Sequence, residues 1–362
     1  MNGRERVLRA IEFRRPDRVP FISPFPPASD VFFFASYPAS DWQPDPGNAP
    51  HIHPGLQAIG NWRWKDMTVD TLLHPPVMQQ DEFGCVWESF RMDNVGEVVG
   101  HPLKSMDDVD SILIPDPHRP ERFETFAGLA KVFGAGKFKL ADIGNGIWER
   151  SHFLRGFSEI MEDLGSNPSG VERLLDRILE EWQIGMIEEY SRLGCDAVMF
   201  YDDWGMKDRI MISPAMWRRM FKPRYSRLIE EAHARGLKVF MHSCGNLRMI
   251  LDDLIEIGLD VLQKEDIDSI GMDYLAERYK GKICFMSPLD VQSIFPFVKD
   301  GDVGAEVRRM ISAVGSDGGG LIGTSTFNSE AVGIPFYKNF VLHYEFLRNG
   351  RYGADGRPLF LK

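Results

Sequence analysis

A closed barrel of eight parallel strands with crossover helices, a (β/α)8 or TIM barrel, is the fold that the sequence predicts. From about residue 120 short apolar runs alternate with amphipathic helical stretches, and such alternation implies parallel strands joined by crossover helices. Six strand candidates fall between residues 137 and 326, a seventh lies near the N-terminus, and residues 60–100 leave room for an eighth. The rival is an open doubly wound sheet, and the absence of a glycine-rich dinucleotide fingerprint after any early strand weighs against it.

Taken in order, RERVLRAIEF (Arg4 to Phe13) is charged and amphipathic and predicts a helix in front of the barrel. RVPFIS (18–23) supplies a strand. Residues 23–55 carry prolines too dense for a long helix or a central strand, and too many aromatics for a solvated linker. They predict an ordered, irregular excursion lying over something, as a lid or a partner contact. Together with the less legible residues up to 100 they form an insertion (23–100) covering the barrel mouth, in which TVDTLL (68–73) is the candidate for the remaining strand. KFKLADIG (137–144) is a strand. Val171, Leu174, Leu175, Ile178, Leu179 and Trp182 then recur at helical spacing. CDAVMFYDD (195–203) is the next strand. A helix follows with Ser213 as N-cap, Pro214 at its first position and Gly236 at its end, and Pro223 kinks or splits it. KVFMHSCG (238–245) is a strand. The helix after it shows Leu247, Ile250, Leu251, Leu254 and Ile255 on one face, closed by Gly258. VLQKED (261–266), KICFMS (282–287) and GLIGTST (320–326) complete the strands, with helices at 302–315 and 334–350. The whole chain, 1–362, reads as one barrel domain.

Composition narrows the functional classes. Of 362 residues 43% are apolar and 26% charged, enough for a large core. The net charge of −11 gives no bulk attraction to nucleic acid or to an anionic membrane, and no apolar run is long enough to span one. The four cysteines, Cys85, Cys195, Cys244 and Cys284, form no CxxC pair, and the N-terminus lacks the apolar core of a signal peptide. A cytoplasmic protein with reduced thiols and a small-molecule partner is expected; an oligomer is compatible with the sequence.

Active sites of such barrels gather at the C-terminal ends of the strands. Those ends offer Trp148, Glu149 and Arg150; Tyr201, Asp202 and Asp203; His242 and Cys244; Gln263, Lys264 and Glu265; and Thr324, Ser325 and Thr326. His242 and Cys244 stand at i and i+2, on one side of a strand, so imidazole and thiolate can share one metal such as zinc. Two ligands do not complete a catalytic zinc site, and the spacing alone leaves a pocket-lining or packed pair open. Asp202 and Asp203 are adjacent and point opposite ways, so at most one aims into the barrel while the other caps a loop or helix. Cys284 is either a ligand or a small buried hydrophobe. Trp148, Glu149 and Arg150 line the mouth or form a salt bridge there. Asn246 opens a helix whose free N–H groups suit an anion.

RERVLRAIEFRRPDRVP, DEFGCVW, HPLKSMDDVDSILIPDP, ADIGNGIWERSHFLRGFSEIMEDL, YDDWG and the long block from SPAMWRRMFKPRY to DVLQ resemble the uroporphyrinogen decarboxylase (URO-D) superfamily nearly end to end. That superfamily includes cobalamin-dependent methyltransferases. Its tetrapyrrole decarboxylases carry an arginine-rich N-terminal segment that binds substrate carboxylates, whereas the stretch here is FISPFPPASDVFFF. Uroporphyrinogen is therefore not the expected substrate. The resemblance to the methyltransferase branch implies zinc held by His242, Cys244 and a later cysteine near the last strand. GLIGTSTFN has no cysteine, which leaves Cys284, Asp203 and Glu265 as the candidate third ligands. It further implies a zinc-dependent methyltransferase of the O- or N-demethylase type. A methyl group would move between a small substrate, a methoxylated aromatic or a methylamine, and a separate corrinoid protein. The aromatic-rich 31–42 segment would suit an apolar methyl donor. In these readings Asp203, Arg150 and Glu149 are the candidate catalytic groups, and Trp148, Tyr201, Asp202, Asn246 and Ser325 the substrate contacts. A metal-free lyase acting on a smaller acid and a non-catalytic binding relative are the alternatives.

Overall fold

The structure is a computed structural model that describes residues 1–23, 25–34, 38–39, 42, 77–89, 96–326 and 329–361. Strands β1 (Phe21–Ile22) and β2 (Val31–Phe34) open the barrel. β3 (Val77–Gln80), β4 (Val86–Ser89) and β5 (Glu97–Gly100) make a separate antiparallel sheet. β6 (Phe138–Asn145), β7 (Ala197–Tyr201), β8 (Lys238–His242), β9 (Val261–Gln263), β10 (Cys284–Ser287) and β11 (Leu321–Thr324) complete it. The order β1-β11-β10-β9-β8-β7-β6-β2 is parallel throughout. The ends of that order meet at Asp30. Its Oδ2 accepts from Phe21 N at 2.9 Å, its own N donates to Phe21 O, and its carbonyl accepts from Phe138 N. Arg6 and Arg18 hold the Asp30 carboxylate from outside.

The eighth barrel strand is β2, within the aromatic-rich excursion; TVDTLL lies outside the described residues. VFFF is strongly strand-prone, and the prolines that argue against a strand sit before it, where Pro26–Ala28 make a short 3₁₀ turn. The 77–100 part of the predicted irregular insertion is the antiparallel sheet. Residues 43–76, and with them most of the predicted mouth cover, lie outside the described residues.

Strand alternation separates two cores. Ile22, Val31, Phe138, Leu140, Ala197, Met199, Phe240, Val261, Cys284, Met286 and Ile322 point into the lumen. Their chain neighbours Phe21, Phe32, Ala141, Val198, Val239, Leu262, Phe285 and Leu321 pack outward under the helices. Helix α1 (Gly3–Ile11), capped by Asn2, adds Val7 and Ile11 to the lumen cluster and so closes the barrel floor. The floor is thus apolar, and polar residues of the lumen collect at the other end.

The outer layer is formed by α2 (Glu124–Phe133), α3 (Ile147–Arg155), α4 (Phe157–Ser166), α5 (Pro168–Arg177), a π-helical turn (Ile178–Gln183), α6 (Ile184–Arg192), α7 (Pro214–Met220), α8 (Lys222–Ala234), α9 (Leu251–Glu256), α10 (Met272–Arg278), α11 (Val303–Val314) and α12 (Lys338–Asn349). The helix expected at 213–236 is split at Phe221, with Pro223 in the first turn of α8, where its missing N–H is not needed. The π turn aims Trp182 Nε1 at Ile143 O and Gln183 Nε2 at Asn145 O, at the end of β6. Among the described residues no helix is long and apolar enough to cross a membrane.

Candidate metal centre

Strand register brings the polar residues together. Tyr201, His242 and Gln263 end β7, β8 and β9 side by side in one layer. After His242 the chain runs on to Cys244, whose carbonyl accepts from Gly205 N at 3.1 Å. The two backbones touch there. A Cβ on Gly245, at φ +72°, would lie 2.1 Å from Gly205 O, and one on Gly205 would lie 2.3 Å from Gly245 C. The HSCG loop is also gripped from beneath. Lys264, wholly buried, donates to Ser243 O at 2.9 Å and Gly245 O at 2.6 Å and pairs with Asp266. Asp266 in turn accepts from Gly245 N.

Asp203, His242 and Cys244 converge so that one ligand atom from each lies within 4.8 Å of the others, the one such cluster of three among the described residues. Cys244 Sγ is 3.5 Å and Asp203 Oδ1 is 3.4 Å from His242 Nε2. Ligand atoms around a tetrahedral metal with bonds of ~2.0–2.3 Å are themselves ~3.3–3.8 Å apart, and both separations from His242 Nε2 match that spacing. The other imidazole nitrogen, Nδ1, meets Gln263 Oε1. The amide is oriented by its Nε2, which donates to Glu265 Oε1 at 3.1 Å. An amide oxygen only accepts, so Nδ1 is the nitrogen placed to donate there, and Nε2 is the nitrogen turned toward Sγ and the carboxylate, the arrangement that a metal-ligating histidine uses. Cys244 N donates to Asp203 Oδ1 at 2.6 Å and holds the carboxylate in place. Burial, with the Asp203 and Asp266 charges, pushes the Cys244 thiol well up, and a divalent cation is what would offset that.

Asp202 points the opposite way from Asp203. It accepts from Tyr225 Oη at 2.6 Å and from Glu149 N at 2.7 Å, capping the first turn of α3. Burial raises it to about 7. Glu149 is raised to about 8 by burial and by the Asp203 and Asp202 charges, while its Oε2 accepts from Asn145 Nδ2. Burial also raises Asp142 to about 7 and moves Glu265 upward. His242 also lines a cavity of about 90 Å³, together with Ile22, Phe33, Met199, Tyr201, Gln263, Glu265, Met286 and Thr324.

Six of the residues singled out in the sequence stand outside the trio. Trp148 is buried and stacked on Trp204 at 4.8 Å, with the Phe221 ring edge-on beside it, so it faces the packing under α3 and not the mouth. Arg150 is buried against Phe83, with Nη1 on Asp81 at 2.8 Å and Nη2 on Asn145, so it ties the antiparallel sheet to α3. Asn246 opens no helix: α9 begins at Leu251, Asn246 N is used by Met206 O, and its side chain by Ser269 O. Ser325 follows the outward phase of β11, and Thr324 is the residue facing the cavity. Cys284 sits in the lumen one layer below His242, outside the trio, and Glu265 lines the cavity without joining it. The sequence places Gln263 and Lys264 among the strand ends but assigns neither a role, and it does not single out Asp142. The two-residue period through LADIGN and LQKE is the signal for Asp142 and Gln263; nothing local marks Lys264 as buried.

The family description "Uroporphyrinogen decarboxylase (URO-D)" matches residues 81–325, well over half of the chain. The chain belongs to the uroporphyrinogen decarboxylase family. Within that family it is 26% identical over 183 residues to a uroporphyrinogen decarboxylase from Thermus thermophilus, across 47% of this chain and 50% of the relative. The match thus spans about half the length of that curated relative. Among solved structures, a methyltransferase from Methanosarcina mazei superposes with a TM-score of 0.63 at 15% identity, covering 96% of this chain and 99% of that one. This likeness carries the fold of the family member, the (β/α)8 barrel. The curated relative of this family named here, a decarboxylase, is an enzyme.

Proposed function

We propose that this family member is a zinc-dependent methyltransferase of the O- or N-demethylase kind that moves a methyl group between a small substrate and a separate corrinoid protein. The observation that carries the reading is the Asp203–His242–Cys244 trio, whose His242 also lines a cavity with one apolar wall and turns its Nε2 to the other two ligands. Asp203 stands where the lack of a cysteine in GLIGTSTFN leaves the third position to be filled. When bound, zinc supplies Lewis acidity toward the atom that carries the methyl group.

The chain's own residues do the rest. Gln263 fixes the imidazole, and the Lys264–Asp266 pair fixes the Cys244 loop. Ile22, Phe33, Met199 and Met286 form the wall that receives a methyl group and keeps water away. Glu149, raised to about 8, holds a proton at neutral pH and is the group placed to deliver or collect one beside Asp203. Decarboxylation of an acid would call for a cation to seat its carboxylate. Among the described residues that line the cavity there is no Lys or Arg, and Arg150 is committed to Asp81. In the cytoplasm, the proposed location, Cys244 stays reduced.

The test is methyl transfer from methoxylated aromatics and methylamines to free cob(I)alamin, followed by absorbance. Turnover by zinc-loaded protein, abolished in His242→Ala, is expected. Rates that are unchanged by removing the metal, or no transfer from either donor class by fully loaded protein, would contradict the proposal.

A further inference from the structure

Helix α12 is apolar on two opposite faces. Its inward residues hold it to the barrel: His343 stacks on Phe21 of β1 at 4.4 Å, and Phe346 packs beside the same ring at 5.2 Å. Leu342 is fully buried with them. The outward side is apolar as well. Phe336, Tyr337, Phe340, Tyr344 and Leu347 are 46, 52, 49, 62 and 37% exposed. With about 3.6 residues per turn they form one stripe along the helix and the turn that leads into it. The rings of Phe336 and Phe340 meet edge to face at 5.5 Å. Lys338 donates to Phe295 O and Val298 O and draws the 295–298 turn to the head of the stripe, where Phe297 is 76% exposed.

A helix on the outside of a barrel needs one apolar stripe, not two. The other outer helices turn charge pairs to solvent: Arg177 with Glu181, Arg192 with Glu189 and Arg227 with Glu231. On α12 the one ion pair among the described residues is Arg348 with Glu345, and the stripe itself holds no charge. Single exposed apolar residues are ordinary, but a contiguous row of aromatics marks a contact surface. Aromatic side chains of ~150–250 Å² at these exposures give, with Phe297 and Leu347, roughly 600 Å² on one chain. Two such faces would bury about 1,200 Å² together, the lower end for a specific, stable interface.

We propose that this stripe is the contact of a two-fold homodimer, so that its occupant is the α12 of a second copy. A straight stripe on one helix is self-complementary about a two-fold axis across it, the head of one stripe meeting the tail of the other, and the contact closes on itself. The net charge of −11 makes two copies repel over most approaches, and an uncharged face is where they meet at least cost. A charged partner finds no ion in the stripe to recognise. α12 packs by β1 and β11, across the barrel from β7 and β8, so pairing leaves the trio uncovered. The dimer stands whether or not the trio holds zinc.

Sedimentation velocity of the full chain over a concentration series tests it. A dimer at micromolar concentration is expected. Phe340→Glu sets two carboxylates against each other near the axis and should raise the dissociation constant at least tenfold, with the far-UV circular dichroism and zinc uptake of the wild type. Tyr344 also stands near the middle of the stripe, so Tyr344→Cys should cross-link to its own copy on oxidation. Glu230→Cys, on the exposed side of α8, should not. A wild type that stays monomeric throughout the series overturns the proposal and leaves the stripe to a different protein. A dimer that Phe340→Glu does not weaken, or cross-linking of Glu230→Cys as complete as that of Tyr344→Cys, overturns it as well. If Phe340→Glu does not fold, the two cysteine variants decide.

Discussion

His242 divides its two nitrogens between a side-chain amide and the open trio. Removing the amide should therefore weaken metal binding without touching a ligand. Gln263→Leu is expected to lower zinc affinity about 10–100-fold in a chelator competition, the range typical of partners that orient a ligating histidine; unchanged affinity would show that Gln263 does not set the tautomer. A second residue-scale prediction concerns Gly245. An alanine there meets Gly205 O at 2.1 Å on a backbone at φ +72°, and the strain should cost about 1–3 kcal/mol in urea unfolding, with loss of the trio's geometry. At this scale the sequence was partly legible. His242 and Cys244 are visible from their i, i+2 spacing, and Asp203 from its position at a strand end. Gln263 and Lys264 are visible only as strand-end residues without a role, because their roles come from a neighbouring strand and loop, 21 residues from their partners at His242 and Ser243.

Elements were easier to read than their boundaries. The rhythm from 137 onward matches β6 to β11, and Pro223 marks the break between α7 and α8. β2 was hidden because four strand-forming residues sit inside a proline-rich stretch, and the seam that makes them a barrel strand is Asp30, a tertiary contact. The antiparallel sheet was equally illegible, since it is pinned by residues far along the chain. Arg150 reaches across to Asp81, which also accepts from Phe83 N, Cys85 N and Trp87 Nε1. Arg150→Met would leave a buried carboxylate without its cation. It should cost about 3–5 kcal/mol in denaturant unfolding, the usual penalty for breaking a buried pair from one side, while zinc stoichiometry is retained. A small stability change with loss of zinc would instead assign Arg150 to the site.

For the whole molecule, burial of so much carboxylate at one end of the barrel has a consequence for stability. Asp142, Glu149 and Asp202 are raised to about 7, about 8 and about 7, above the carboxyl range near ~4 of an unfolded chain. Between pH 7 and 8.5 the metal-free folded chain holds protons that the unfolded chain has already lost, so its stability falls as pH rises through that window. His152, lowered to about 4, and His343, also lowered, affect stability only below the ordinary histidine range. A falling Tm from pH 7 to 8.5 in metal-free protein is expected, and a flat or rising one would show that these carboxyls are ionised throughout. The concentration of acid at the mouth is tolerable in a working protein if a cation sits there, and the trio is where the geometry puts it. Elemental analysis of freshly purified protein beside its His242→Ala variant tests this most directly. About one zinc per chain in the wild type, lost in the variant, is the predicted result; no metal in the wild type, even after incubation with zinc, would contradict the account.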